Sequence, residues 1–209
     1  HPLKTNVSEA SADSVNAAAD MIINAKRPLV LAGSGAGVSD AGPALRDLSS
    51  SFKLPVFGHA LGRGLVHEDL KRGFSWPLAQ VAAKGADAVL VVGMRLSQRM
   101  GFGLAPRFSA TAKFAQIDLI ADEFGRNRVT DIPMLGDAAL TVAKITTALK
   151  AKGYAPKDDP TWVTDAMQPR MTRINELGRN ETGKIHPYRL GRDLMDVMPD
   201  AAIFVGDGA

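Results

Sequence analysis

The sequence contains no cysteine. That absence removes disulfides, thiolate zinc sites and a cysteine nucleophile from the chemistry open to the chain. A long apolar run is missing too: no stretch approaches the roughly 18 residues needed to cross a bilayer. The N-terminal "HPLKTNVSEASADS" lacks the apolar core of a secretory signal. A soluble, cytoplasmic protein without a membrane partner is expected. Charge of one sign is also in short supply, with 25 Lys+Arg against 22 Asp+Glu and no dense basic run. Scattered solvated lysines account for a net charge of +3, and no nucleic-acid surface is expected. Internal repeats and low-complexity tracts are absent.

What is present is a globular composition: 209 residues, 45% hydrophobic and 22% charged, enough for one ordinary domain and some extra chain. Val15, Ala18, Ala19, Ile22 and Ile23 recur at helical spacing within 8–26, after a serine-rich start suited to capping. The apolar run 29–32 then enters a glycine turn, and Leu45, Leu48 and Phe52 mark a second helix. Further strands are predicted at 54–60, 86–93, 113–120 and 131–137. A helix over 77–84 separates the second from the third, and Val142, Ile145 and Leu149 place a helix after the last. The 86–93 stretch is apolar on both faces, as in a strand buried within a parallel sheet. Alternating β and α elements predict an α/β fold, a Rossmann-like parallel sheet with helices on both faces.

The texture changes at "AKGYAPKDDPT" (151–161), where Lys, Pro, Asp and Gly gather as in a surface linker. The expected organisation is a linker at 1–11, a central domain over 12–150, an interdomain linker with a helix over 151–185, and a further segment at 186–209. The helix in that linker shows Val163, Met167, Met171, Ile174 and Leu177 on one face. A helix begun by Pro187 precedes a terminal strand.

Gly33-Ser34-Gly35-Ala36-Gly37 joins the first strand to a helix, a place where backbone N–H groups can meet a phosphate. The third glycine falls one residue early for a G-x-G-x-x-G fingerprint, so a turn serving only chain reversal competes with a phosphate cradle. "GAGVSDAG" also resembles the loop of sirtuin NAD-dependent deacylases, and "AQID" (115–118) echoes another of their motifs. The four zinc cysteines and the catalytic histidine of that family have no counterpart here.

A second resemblance covers more of the chain. The series "AKRPLVLAGSGAG", "LPVFGHALGRG", "ADAVLVVGMRL", "AKFAQIDLIADEFGRNR" and "DIPMLGDAAL" resembles, in order and spacing over 12–150, the central domain of thiamine-diphosphate-dependent decarboxylases and carboligases. That group includes acetolactate synthase, benzoylformate decarboxylase and oxalyl-CoA decarboxylase. The resemblance implies the sirtuin-like type of nucleotide-binding fold, with FAD or ADP in the central domain of members that fill it. It places Gly33, Ser34 and Gly35 near such a ligand, Arg95 on phosphate, Asp118 on ribose and Asp137 beside adenine. Each has a plainer alternative: Arg95 as a surface cation, Asp118 as a turn cap, Asp137 as the N-cap of the next helix. Flavin-binding relatives carry G-M-x-G where this chain has "RGFSWPLAQVAAKG", including Trp76-Pro77, which weakens FAD against an ADP-like ligand or an empty domain. His59 and His67 have no carboxylate pattern around them and are taken as loop residues.

By the same resemblance the parent enzyme uses thiamine diphosphate and Mg²⁺ to cleave or join C–C bonds of 2-keto acids or 2-hydroxyacyl thioesters, as a homodimer or homotetramer. No catalytic residue and no metal ligand is assigned to this chain, and by itself it is expected to be inactive. Two alternatives stand: a separate nucleotide-binding module, and an NAD-dependent deacylase. The closing "AIFVGDGA" (202–209) looks like an Mg²⁺-diphosphate loop. The resemblance instead makes Asp207 a strand-end residue near the cofactor, at the truncated start of the diphosphate-binding domain.

Overall fold

The computed structural model describes residues 8–156, 160–199, 201–203 and 205. Six strands form one sheet: β1 (Pro28–Ala32), β2 (Val56–Gly58), β3 (Gly73–Ser75), β4 (Ala88–Val92), β5 (Lys113–Asp118) and β6 (Ile132–Leu135). Their spatial order is β3-β2-β1-β4-β5-β6, and every pairing is parallel. This is the doubly wound order of dinucleotide-binding folds. The chain leaves β1 in one direction across the sheet and returns to β4 to run in the other. The expected α/β parallel architecture is observed.

The central strands are apolar throughout because both of their faces are covered. β4 is buried at all five positions and β1 at four of five. Val30, Ala32, Leu90, Val92, Ala115 and Ile117 face a core shared with α1 (Ala12–Asn24), the short α2 (Ser34–Val38), α3 (Gly42–Phe52) and α5 (Ala138–Ala151). The alternate residues, since side chains along a strand switch faces, meet the other layer. There Phe57, Phe74, Trp76, Phe108 and Phe114 form a continuous aromatic pile, with Trp76 stacked on Phe108 at 5.8 Å between centroids, Phe57 tilted against Trp76, and edge-on pairs Phe57–Phe74 and Phe108–Phe114 at the two ends.

This second layer holds the main departures from the expected elements. The helix expected over 77–84 is the short α4 (Trp76–Ala79), followed by a 3₁₀ segment over Gln80–Gly85. Pro77 opens it and Gly85 ends it, so it is too short to run as a regular helix. β3 is an edge strand unforeseen in the sequence, three residues long and set by Val56↔Gly73 pairing. Gly73 is needed there, because a Cβ would lie 1.9 Å from the His67 carbonyl oxygen. The long connection after β4 is secured by Arg128, whose guanidinium donates to the carbonyls of Gly103 (2.6 Å) and Ala112 and lies 3.8 Å over the Phe114 ring. Burial lowers the pKa of Arg128 from its ordinary value.

Two compact units are recognised, one ending at Ala166 and the other beginning at Met167, and the division falls inside α6 (Thr161–Gly178). In the second, α7 (Pro187–Val197) is capped by His186, whose Nδ1 accepts from the Tyr188 N–H at 3.2 Å. No α7 side chain is buried among the described residues, and Leu190, Leu194 and Val197 are exposed. Of the terminal strand expected after α7, Ala202, Ile203 and Val205 are described and belong to no strand. Gly206, Asp207 and Gly208 lie outside the described residues. No described helix is long and apolar enough to cross a membrane.

Candidate functional site

In doubly wound sheets the connections diverge at the switch point, leaving a crevice above the C-terminal ends of the two central strands. Here those strands are β1 and β4, and a cavity of about 510 Å³ occupies the crevice. Its walls come from the loops after β1, β2, β4, β5 and β6.

The floor is backbone against backbone. Each loop is tied to the end of the neighbouring strand: Gly33 N–H to Val92 O at 3.0 Å, Gly35 N–H to Gly93 O at 2.8 Å, Gly93 N–H to Ile117 O at 3.0 Å, and Gly136 N–H to Asp118 O at 3.0 Å. This explains the glycines. A Cβ on Gly33 would sit 2.6 Å from Gly93 O and 2.4 Å from Met94 Cβ, and one on Gly35 would sit 2.9 Å from Gly93 Cα. Gly93 itself has φ +56°, and a Cβ there would approach Ala36 N to 2.5 Å. Gly33 and Gly35 thus let two strand-end loops touch, and their N–H groups are engaged within the protein. Ser34, between them, lines the cavity, and no bond among the described residues engages its N–H.

The remaining sequence-predicted residues separate into two sets. Arg95 and Asp118 line the cavity together with Ser34 and Gly35. Arg95 is about two-thirds exposed and pairs through Nε with Glu123 at 3.0 Å. Asp118 Oδ1 accepts from the Ile120 N–H at 3.0 Å, a cap of the following turn, while its Oδ2 makes no hydrogen bond to a described residue. Gly33 and Asp137 lie behind the lining. Asp137 is the N-cap of α5, accepting from Leu140 N–H at 3.0 Å, and its second oxygen accepts from Ser39 Oγ at 2.7 Å. Ser39 Oγ in turn accepts from Ala139 N–H at 2.9 Å. Asp137 therefore caps α5 with one oxygen and ties it with the other to Ser39 in the connection after β1.

Three residues without an assigned role belong to the site. Glu123, with its side chain only 6% exposed, receives both Arg95 and Arg126, the latter at 2.7 Å, on the same oxygen. Asn127 Nδ2 donates to Leu96 O at 3.0 Å, joining the loops after β4 and β5. Both stand within "IADEFGRN", so their positions were visible in the motif although their work was not. His59, taken as a loop residue, is on the cavity wall after β2. Burial, and secondarily Arg99, lowers its pKa from the ordinary 6.5. Among the described residues no group of three His, Asp or Glu side chains is arranged to hold a metal.

Comparison with known proteins accords with this architecture. The family described as thiamine pyrophosphate enzyme, central domain, matches residues 15–145. The chain is 30% identical to 2-hydroxyacyl-CoA lyase 1 of Mus musculus over 97% of its length and 35% of that protein's. It is 31% identical to a probable acetolactate synthase large subunit of Methanocaldococcus jannaschii over 88% of its length and 32% of that protein's. With oxalyl-CoA decarboxylase of Escherichia coli (strain K12) it shares 30% identity over 68% of its length and 25% of that protein's. The chain spans about a third of the length of the first two relatives.

Proposed function

The chain belongs to the thiamine pyrophosphate enzymes and carries their central domain, and from that premise we infer that it is the nucleotide-binding centre of a larger lyase or carboligase. The parent enzyme acts on C–C bonds of 2-keto acids or 2-hydroxyacyl thioesters, with thiamine diphosphate and Mg²⁺ held by domains flanking this one. When bound, thiamine diphosphate supplies the carbanion-stabilising chemistry. Residues 12–150 are the central domain, 151–185 the connection and 186–209 the beginning of the diphosphate-binding domain, where the exposed apolar side chains of α7 would find their cover. The parent enzyme works in the cytoplasm as a homodimer or homotetramer. This reading takes precedence over an NAD-dependent deacylase because the family match spans the whole sheet.

One observation carries the nucleotide assignment: Arg95 and Asp118, 23 positions apart in sequence, open onto one cavity at the switch point. A guanidinium fork suits diphosphate oxygens. The unbonded Oδ2 of Asp118 suits a ribose hydroxyl, and Ile117, Leu119 and Ile120 supply an apolar wall for a purine. The ligand we favour is ADP or a close analogue. FAD is disfavoured because the segment corresponding to the glycine-rich flavin region is occupied by Phe74 and Trp76, which are buried in the aromatic pile.

A thermal-shift series with ADP, AMP, NAD and FAD tests the reading, since a ligand that binds only the native state raises its stability by mass action. ADP is expected to raise the melting temperature most. No shift with any of the four would contradict it.

A further inference from the structure

Arg95 reaches the cavity from an exposed loop, and a long cationic side chain in that setting has many rotamers. Something must aim it for a recognition role to be effective. We propose that Glu123 is the positioning residue that aims the Arg95 guanidinium at the anionic part of a nucleoside diphosphate. The proposal rests on the nucleotide reading of the cavity given above.

The geometry supplies the reason. Glu123 engages Arg95 at Nε. A guanidinium has five N–H donors in a plane, and with the ion pair made at Nε no hydrogen bond among the described residues engages either terminal nitrogen of Arg95, which leaves the end edge formed by the two of them open to two phosphate oxygens. Glu123 is itself immobilised: its side chain is almost wholly buried, and Arg126 shares its Oε1 at 2.7 Å. Two guanidinium groups around one carboxylate leave the cluster with one net positive charge beside the cavity. A carboxylate buried with one cation would cancel the charge that an anionic ligand requires, and the second arginine prevents this.

A purely structural role explains the arrangement less well. The loops after β4 and β5 are already joined by Asn127 donating to Leu96 O. An ion pair whose arginine is two-thirds exposed adds little to stability. Burying a carboxylate for so small a return is unfavourable unless it does something else.

The test is calorimetric titration of the full chain with ADP and, separately, with adenosine, which lacks the phosphates. Glu123→Gln is expected to weaken ADP binding roughly tenfold, the scale of one charge-assisted hydrogen bond, while leaving adenosine binding within about twofold. In an Arg95→Met background, where ADP binding is already weakened, Glu123→Gln is expected to cause no further loss. Should Glu123→Gln fail to fold, Glu123→Asp keeps the charge but shortens the reach and is expected to lower the ADP-to-adenosine preference in the same direction. Equal loss of ADP and adenosine affinity, or unchanged ADP affinity in a folded variant, would overturn the positioning role. Failure of the wild-type chain to bind ADP at all would overturn the nucleotide reading itself.

Discussion

At the scale of single residues, the crest of the sheet is a set of close backbone contacts with a few polar side chains set among them. Gly93 is the most constrained, combining a left-handed backbone with contact to the loop after β1. Gly93→Ala is expected to lower the unfolding free energy by about 2 kcal/mol or more, from strain and overpacking together, as measured by denaturant titration. Asp137 and Asp118 look alike in the sequence, each at the end of an apolar run, yet they differ in what their oxygens do. Asp137→Ala is expected to cost about 1–2 kcal/mol of stability through the lost N-cap and to leave nucleotide affinity nearly unchanged. Asp118→Ala, which loses one exposed turn bond, is expected to cost less stability and to weaken nucleotide binding, and calorimetry beside denaturation separates the two. His59 gives a pH dependence. Its folded pKa is depressed by burial, so the unfolded state takes up the proton first. Its contribution to stability is complete above about pH 6.5, the ordinary histidine value, and is lost as the pH falls from there through the folded pKa. Replacing His59 by Gln should flatten that part of the stability–pH profile, whereas an unchanged profile would show that His59 does not carry it. The sequence offered the Asp137 N-cap and the Asp118 turn cap as alternatives to ligand contact, and both caps are observed; what each second oxygen does was not legible. The Ser39–Asp137 bond joins residues 98 positions apart, and sequence spacing holds no information about such a pair.

At the scale of elements, legibility followed periodicity and length. α1, α3 and α5 show apolar residues at helical spacing, because each covers the sheet with one face only, and their positions were evident. β1, β4 and β5 were evident as short apolar runs, because each is buried on both sides. β3 was not, since three residues containing a glycine and a serine have no strand signature. Its place is set by pairing with β2 and by Phe74 entering the aromatic pile. α4 was misjudged in length for the same reason, as the pile and not helix propensity fixes the conformation of 76–85. The pile should therefore carry much of that layer's stability. Trp76→Ala is expected to cost about 3–5 kcal/mol, the usual loss for a buried large aromatic. It should also remove most of the near-ultraviolet circular dichroism, since the chain has only one other tryptophan. Phe102→Ala, at a site 43% exposed, should change stability by less than about 0.5 kcal/mol, as surface substitutions do. If the two variants proved equally stable, the pile would not be the organising feature of this layer.

At the scale of the whole molecule, a doubly wound sheet fixes where a ligand can sit before any side chain is considered, because the crevice is a consequence of strand order. The family was legible from five motifs in register, although each is short. Once the structure is known, two of those motifs prove to be architectural: the glycine loop packs on Gly93, and Glu123 and Asn127 of "IADEFGRN" tie the walls of the cavity. Both hold the shape of the crest. The chain alone is expected to leave 2-keto acids and 2-hydroxyacyl thioesters unchanged even with thiamine diphosphate and Mg²⁺ supplied, and turnover by the purified chain would contradict the division of labour proposed. We propose that the β1/β4 crevice holds a nucleoside diphosphate through Arg95 and Asp118. The most direct test of this proposal is calorimetric titration of ADP into the wild-type chain and into the Arg95→Met, Asp118→Ala double variant. One site per chain is expected in the wild type, with a loss of affinity of at least about a hundredfold in the double variant, two polar anchors at about tenfold each. Absence of binding to the wild type, or equal binding by both proteins, would contradict it.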